Sequence, residues 1–166
     1  MAKITLGGAP ASTVGDLPKV GSDAPNFLLT TPDMKTISLD DVKGKKVVLN
    51  IFPSVDTGVC ASSVREFNQH ASKLENTSVI CVSMDLPFAQ ARFCGAEGIE
   101  NVTMGSGFKD GGNFGKAYGV EITESAFTGL YARAIVVLDE SGKVTYTELV
   151  PEVGQAPNYE AALAAV

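Results

Sequence analysis

The sequence predicts a single α/β domain over residues 1–166, with a mixed central sheet flanked by helices on both faces and a β-hairpin at the N-terminus. A length of 166 residues suits one ordinary domain and is enough to bury a core without disulfides or a structural metal. β-Branched apolar segments alternate with segments of helical pattern through the middle of the chain, which is typical of parallel strands. A hairpin and a helix then follow, so we expect antiparallel strands in the same sheet.

The first quarter of the chain is predicted to hold short strands. KITLGGAPAS has two extended pieces around Gly7 and Gly8, a dipeptide that favours a tight hairpin turn. NFLLTTPDMKTIS gives two more strands around a PD turn. In the SLDD that completes this segment, we expect Ser38 or Asp40 to cap a short helical turn.

The middle of the chain predicts alternating strands and helices. KKVVLNIFP is apolar, β-branched and ends at Pro53, which indicates a central buried strand. DTGVCASSVREFNQHASKLEN has helical spacing of its apolar residues, and Asp56 or Thr57 is expected to cap it. TSVICVSMD is predicted as a strand, PFAQARFCGAEG as a short helix, NVTMGSG as a weak strand and GGNFGKAYGV as a helix interrupted by glycine. ARAIVVLDESGKVTYTELV is predicted as a hairpin, and PNYEAALAAV as a helix that starts near Pro157 or Asn158.

The composition argues against several classes of function. The net charge of −6 and the pI of about 4.7 leave no basic face for nucleic acid. No segment has the hydrophobic length of a signal peptide or of a membrane span, so we expect a cytoplasmic protein without a membrane partner. Three cysteines without a CxxC pair favour neither a disulfide scaffold nor a zinc site. We therefore expect no metal and no cofactor.

The single histidine, His70, restricts histidine-based catalysis to one candidate. It follows Cys60 in the same predicted helix, roughly 15 Å further along the helix axis. If that helix is continuous, His70 cannot reach the Cys60 sulfur. We expect His70 to be an exposed helix residue.

Cys60 is the strongest candidate for a reactive residue. It is predicted in the first turn of a helix after a central strand, at the edge where α/β proteins build their sites. The free N–H groups and partial positive charge of a helix N-terminus favour a thiolate. Thr57 stands three residues earlier, so its hydroxyl can lie beside the sulfur, and Pro53 can cover one side. The alternative is a small buried cysteine.

The other two cysteines differ in their surroundings. Cys81 lies inside an apolar strand, which indicates an inert core residue. Cys94 lies near the end of a short helix, and the glycines Gly95 and Gly98 would let that segment leave its helical form at modest cost. Cys94 is therefore a candidate for a second redox partner, with an ordinary helix cysteine as the alternative.

Arg133 begins RAIVVL, a strand that is apolar on both faces. Burying an unpaired guanidinium costs several kcal/mol, so a buried Arg133 requires an anionic partner or ligand. A thiolate at Cys60 would be suitable. The alternative is an arginine at a strand end whose head reaches solvent.

These residues resemble those of a known family. PSVDTGVC fits the PxxxTxxC active-site pattern of peroxiredoxins, with Pro53, Thr57 and Cys60 at its three fixed positions. VLNIFPSVDTGVCASSVREFNQ, DLPFAQARFCGAEG and GLYARAIVVLDESG resemble, more specifically, the bacterial thiol peroxidase subfamily. The N-terminal hairpin and GSDAPNFLL are similar too, so the resemblance covers nearly the whole chain.

The resemblance implies a thioredoxin-like peroxiredoxin fold and the reduction of hydrogen peroxide and organic hydroperoxides. It makes Cys60 the peroxidatic cysteine, Cys94 the resolving cysteine of an intrasubunit disulfide and Arg133 the active-site arginine. It also implies thioredoxin as the electron donor and a homodimer. Because disulfide-bonded Cα atoms lie about 4.4–6.8 Å apart and the two cysteines sit on different helices, we expect FCGAEG to unwind on oxidation.

Three other functions remain as alternatives. The first is a single-cysteine peroxidase in which Cys94 has no redox role. The second is a non-catalytic thioredoxin-fold module for binding or chaperone activity, which the presence of Thr57, Cys60 and Arg133 disfavours. The third is a dithiol reductase, which the missing CxxC pair disfavours.

Overall fold

A computed structural model describes residues 1–166 and contains ten strands and four α-helices. The strands are β1 (Lys3–Leu6), β2 (Ala9–Thr13), β3 (Leu28–Thr30), β4 (Thr36–Ser38), β5 (Lys46–Ile51), β6 (Thr77–Ser83), β7 (Thr103–Ser106), β8 (Ile122–Glu124), β9 (Ala134–Leu138) and β10 (Val144–Leu149). The helices are α1 (Gly58–Ala71), α2 (Pro87–Glu97), α3 (Asn113–Ala117) and α4 (Tyr159–Ala164).

The central sheet has seven strands in the order β10-β9-β5-β6-β7-β3-β4. β5 and β6 are parallel, as are β6 and β7, whereas β9 lies antiparallel to β5 on the other side. The predicted mixed sheet is confirmed. Because the β5–β6 pair is parallel, a crossover is needed, and α1 provides it. The start of α1 therefore lies at the carboxyl edge of β5.

Helices cover both faces of this sheet, as the sequence predicts. Alternate residues of β5 point to opposite faces, because side chains alternate along a strand. On one face, Leu49 belongs to an apolar cluster that includes Phe114 of α3. On the other face, Val48 packs in a cluster with Phe67 of α1 and Ala162 of α4. Each fully buried Val, Leu or Phe side chain in these clusters contributes about 1.5–3 kcal/mol.

The predicted N-terminal hairpin is confirmed, and a strand that was not predicted extends it. Gly7 and Gly8 have φ angles of 59° and 82°, and this left-handed backbone at both positions is what a two-residue hairpin turn favours. β8 pairs with β2, so the small sheet has the order β1-β2-β8. β8 has only three residues, ITE, and it lacks a turn pattern of its own, so its partner on β2 could not be inferred from local sequence.

The helix ends agree with the sequence at α2 and α4. α2 begins at Pro87, and its C-cap is Gly98 with a left-handed φ of 66°. The side chain of Asn158 accepts the N–H of Ala161 at 3.0 Å and caps α4. No helix combines the length and hydrophobicity required to span a bilayer.

The predicted caps of the 3-10 turn, Asp40–Val42, are wrong. Leu39 is its N-cap residue and makes no side-chain cap bond. The carboxylate of Asp41 instead accepts the N–H of Ser38 at 2.8 Å and its hydroxyl at 3.1 Å. The Ser38 hydroxyl therefore donates to an acidic side chain inside the turn instead of accepting a backbone N–H as a cap.

Candidate active site

Cys60 lies in the first turn of α1, at the carboxyl edge of β5, and its side chain is fully buried. The loop that leads to it begins at Phe52, whose N–H donates to the carbonyl of Val82 at 3.1 Å. Pro53 follows and is buried. These contacts fix the path of the chain between the last residue of β5 and the helix. The place that the sequence predicted for Cys60 in the fold is therefore the place that it has.

Arg133 contacts Cys60 directly. Ile51 at the end of β5 pairs with Ala134 at the start of β9. Arg133, the residue before Ala134, therefore lies beside the loop of residues 52–57 between β5 and α1, which we call the Cys60 loop. Arg133 Nη2 donates to Cys60 Sγ at 3.1 Å, and Nε donates to the Val153 carbonyl at 2.8 Å. The arginine is only 2% exposed, so the alternative in which its head reaches solvent is wrong.

The electrostatics of this contact involve two opposing effects. No carboxylate forms a salt bridge with the guanidinium, so the Cys60 sulfur is the side-chain atom that can offer it negative charge. A positive charge at this distance stabilises negative charge on the sulfur, whereas burial opposes it. Nη1 of Arg133 is buried and has no hydrogen-bond partner. A buried donor of this kind is available to an incoming oxygen atom.

The Thr57 hydroxyl, which the sequence places one turn before Cys60, forms no hydrogen bond to the sulfur. It donates to the carbonyl of Ser54 at 3.1 Å, and Thr57 is the N-cap residue of α1 without forming a side-chain cap bond. A hydroxyl has one proton and two acceptor positions. Because the proton is used on Ser54, Thr57 faces the neighbouring cavity as a hydrogen-bond acceptor.

A cavity of about 160 Å³ opens beside this group of residues. Its walls include three of the predicted site residues, Pro53, Thr57 and Arg133, and apolar side chains from distant parts of the chain. Leu6, Phe127 and Val153 form part of its apolar wall. Sequence reasoning missed all three, because an apolar residue in a loop or hairpin carries no pattern that marks it as part of a site.

The two further cysteines occupy different environments. Cys94 is half-buried on α2 and packs against the apolar cluster that contains Cys60. Burial raises the pKa of the Cys94 thiol. Cys81 is fully buried, and burial raises its pKa to about 12, so it has the core position that the sequence predicted. All three thiols are free in this structure.

His70 lies on the outer part of α1, away from this arrangement. Its ring faces Glu66 at 3.4 Å, and its side chain is 40% exposed. No group of three or more histidine, cysteine, aspartate or glutamate side chains is arranged as a set of metal ligands.

Residues 19–163 match the Redoxin family. Over all 166 residues the chain is 60% identical to the thiol peroxidases of Mycobacterium bovis and Mycobacterium tuberculosis, and it covers 99% of each. It is 52% identical to the thiol peroxidase of Corynebacterium glutamicum over the same length, again covering 99% of that protein.

Solved structures of similar proteins share the fold of this chain. The peroxiredoxin-like protein of Aquifex aeolicus superposes with a TM-score of 0.93 at 39% identity, covering 99% of this chain and 96% of that one. The thiol peroxidase of Chromobacterium violaceum superposes with a TM-score of 0.89 at 24% identity, covering 98% and 93%.

Proposed function

Since the chain belongs to the Redoxin family as a peroxiredoxin-type thiol peroxidase, we propose that it reduces hydrogen peroxide and organic hydroperoxides at Cys60 in antioxidant defence. The observation that carries the proposal is the 3.1 Å contact between Arg133 Nη2 and Cys60 Sγ at the edge of an apolar cavity. A buried sulfur beside a buried guanidinium suits a reaction that begins and ends with negative charge at that place.

In the first step the Cys60 thiolate attacks the terminal oxygen of the hydroperoxide. The S–O bond forms as the O–O bond breaks, which leaves a sulfenic acid on Cys60 and an alkoxide that takes a proton from water. Nη1 of Arg133, which has no partner, is the available donor to the departing oxygen. Thr57, which donates its own proton to Ser54, can accept a hydrogen bond from the bound hydroperoxide, whose proton stays on the oxygen that becomes the sulfenic acid.

Stabilisation of the departing oxygen should contribute more to the rate than thiolate formation does. An ordinary cysteine with a pKa of about 8.5 is roughly 3% thiolate at neutral pH, so full ionisation gains about 30-fold. A thiol of lower pKa is also a weaker nucleophile, and a Brønsted slope of about 0.4–0.5 removes roughly 10-fold of that gain. Only a few-fold remains, whereas one well-placed donor to a developing oxyanion contributes about 100-fold or more.

In the second step Cys94 condenses with the sulfenic acid to form an intrasubunit disulfide and water, and thioredoxin then reduces the disulfide. Cys94 belongs to an intact α2, where its carbonyl accepts the N–H of Ile99 at 3.0 Å. That bond, the Gly98 cap and an ion pair between Glu97 and Arg65 of α1 hold the end of α2. We therefore propose that the FCGAEG segment unwinds when the disulfide forms.

The lining of the cavity supports organic hydroperoxides as substrates alongside hydrogen peroxide. Leu6, Phe127 and Val153 offer apolar surface around the entrance to the site. An alkyl group gains about 25 cal/mol for each Å² of apolar surface that it buries there, and hydrogen peroxide gains nothing comparable.

A homodimer is proposed from an exposed apolar surface next to α2. Leu86, Phe88 and Phe108 are 46%, 67% and 57% exposed. The Ser106 hydroxyl donates to the Asp85 carbonyl at 2.5 Å, so the two segments that carry these side chains run side by side. Exposed aromatic residues of this kind mark protein contact surfaces. A cytoplasmic location is proposed because free thiols and a thioredoxin donor belong to a reducing compartment.

A thioredoxin-coupled peroxidase assay tests the proposal. We expect turnover in the wild type, none in Cys60→Ser, and little thioredoxin-dependent turnover in Cys94→Ser. Full thioredoxin-dependent turnover in Cys94→Ser would favour the single-cysteine peroxidase. No turnover in the wild type would favour the non-catalytic binding or chaperone module.

A further inference from the structure

A polar network that the sequence did not predict joins the Cys60 loop to the start of α2. Asp85 lies between the end of β6 and the start of α2. Its carboxylate accepts the Ser54 hydroxyl at 2.7 Å, the Val55 N–H at 2.9 Å and the Ser83 hydroxyl at 2.6 Å. Ser54 and Val55 belong to the loop between β5 and α1. One carboxylate therefore holds the Cys60 loop from outside it.

On the side of Cys60, the network ends at the Thr57 hydroxyl. The carbonyl of Ser54 accepts both the N–H of Thr57 at 3.2 Å and its hydroxyl at 3.1 Å. The Ser54 hydroxyl, which donates to Asp85, also accepts the N–H of Asp56 at 3.1 Å. By fixing Ser54, Asp85 fixes the orientation of Thr57, which lines the cavity.

On the side of Cys94, the network holds the first turn of α2 but not its end. Nε2 of the fully buried Gln90 donates a hydrogen bond to the Ser83 hydroxyl at 3.1 Å. The same Nε2 donates to the Gly105 carbonyl at 3.2 Å. Cys94 lies a full turn later, and no side-chain hydrogen bond of this network reaches it. The start of α2 is therefore anchored to the sheet, while the end that carries Cys94 is held by its backbone cap and by partly exposed ion pairs of Arg92 with Asp56 and of Glu97 with Arg65.

We propose that Asp85 is a positioning residue that keeps the Cys60 loop in its peroxide-reactive arrangement. It acts through Ser54 on Thr57, and it touches neither the sulfur nor the cavity. The inference rests on the proposed function above. Two consequences follow: loss of the carboxylate slows the reaction with peroxide, and it does not slow disulfide formation, because that step requires the site to open.

The test separates the two steps in Asp85→Asn. The peroxide step is measured by competition with a second peroxidase, and the disulfide step by rapid quenching and mass spectrometry. We expect the peroxide rate constant to fall by about tenfold or more, since bonds to a charged acceptor are replaced by weaker ones. We expect the disulfide step to be unchanged or faster.

Asp139→Asn is the matched control. Like Asp85, the Asp139 carboxylate accepts three hydrogen bonds. They come from the Ser141 hydroxyl and from the N–H groups of Ser141 and Lys143, in the turn between β9 and β10. It lies at the opposite end of β9 from Arg133, so both steps should stay within about twofold of the wild type. Ser54→Ala provides a second route if Asp85→Asn does not fold.

A double-mutant cycle tests the route through Ser54. If Asp85 acts through Ser54, the double variant is about as slow as the slower single variant, rather than the product of the two effects. The inference would be overturned if the effects of the two single variants multiplied in the double variant. It would also be overturned if Asp85→Asn slowed both steps equally or left the peroxide step unchanged. A wild type that fails to react with peroxide would overturn the proposed function as well, so the two failures are distinguishable.

Discussion

The Arg133 guanidinium donates to the Cys60 sulfur at 3.1 Å across 73 residues of sequence, and both side chains are buried. The contact exists because β9 lies antiparallel to β5, which brings the start of one strand to the end of the other. The second nitrogen of the fork, Nη1, has no partner. One nitrogen therefore holds the sulfur while the other stays free for an oxygen atom.

Replacing Arg133 is expected to cost more peroxidase rate than loss of thiolate explains. Arg133→Ala should lower the rate constant with peroxide by about 100-fold or more, because the donor to the departing oxygen is lost. Arg133→Lys should recover only part of the rate, since an ammonium cannot offer two parallel donors. Thiolate absorbance and the peroxide rate are measured in the same variants.

Lys143→Ala is the control for these two variants, since the Lys143 side chain is 51% exposed and pairs with Asp23 on the surface, away from the loop that precedes Cys60. A rate loss in Arg133→Ala that matches its loss of thiolate would contradict the proposed role.

One equivalent of peroxide should change the mass of the protein according to the cysteines present. The wild type should lose two hydrogens as the Cys60–Cys94 disulfide forms, whereas Cys94→Ser should gain one oxygen. Cys81→Ser should behave like the wild type, because burial raises the pKa of Cys81 to about 12 and keeps it protonated. Gain of one oxygen in the wild type would support the single-cysteine alternative.

Two glycines, Gly95 inside α2 and Gly98 at its C-cap, should change the disulfide step in opposite directions when each is replaced by alanine. Gly95 lies inside the helix with open space where a Cβ would be, so Gly95→Ala should stabilise the helix by about 1 kcal/mol and slow disulfide formation about fivefold. Gly98 has φ of 66°, where alanine is strained, so Gly98→Ala should loosen the helix end and speed the step.

Rapid-quench mass spectrometry measures the disulfide step in both glycine variants. The peroxide step serves as the internal control and should not change. Effects of the same sign in the two variants would show that unwinding of α2 does not limit the disulfide step.

Glu152 is expected to maintain the apolar wall of the cavity. Its carboxylate accepts the N–H groups of Gly154 at 2.7 Å and Gly8 at 2.8 Å and the Thr5 hydroxyl at 3.0 Å, which ties the N-terminal hairpin to the segment of Val153. Glu152→Gln should raise KM for an alkyl hydroperoxide and leave the rate with hydrogen peroxide unchanged. A loss with both substrates in equal proportion would argue against a role in specificity.

The same carboxylate should contribute to stability only while it is ionised. Hydrogen bonds from the Gly154 and Gly8 N–H groups, with a smaller one from Thr5, lower the pKa of Glu152 below its ordinary value of 4.5. A lowered pKa in the folded state means that the stabilisation is present above the ordinary value and is lost as the pH falls through the folded value. In urea unfolding, the stability difference between Glu152→Gln and the wild type should be largest at about pH 7 and should shrink as the pH is lowered toward about pH 2. A constant difference at both pH values would contradict this.

The sequence by itself determined the local half of this protein. Hydrophobic periodicity and turn residues predicted the strands on both sides of Cys60, the start of α2 at Pro87 and the hairpin at Gly7 and Gly8, because each depends on neighbours along the chain. PSVDTGVC likewise predicted that Pro53, Thr57 and Cys60 would share one loop and helix start.

Tertiary structure decided the rest, because the contacts concerned join residues that are far apart in sequence. A buried arginine predicts that a partner exists, but only the antiparallel register of β5 and β9 identifies Cys60 as that partner. The pairing of β8 with β2 and the bonds from Asp85 to the Cys60 loop have the same origin. Even between near neighbours, the sequence did not predict every contact. The Thr57 hydroxyl could donate to the Cys60 sulfur or to the Ser54 carbonyl. It donates to the carbonyl because of the path of the loop, which Asp85 holds.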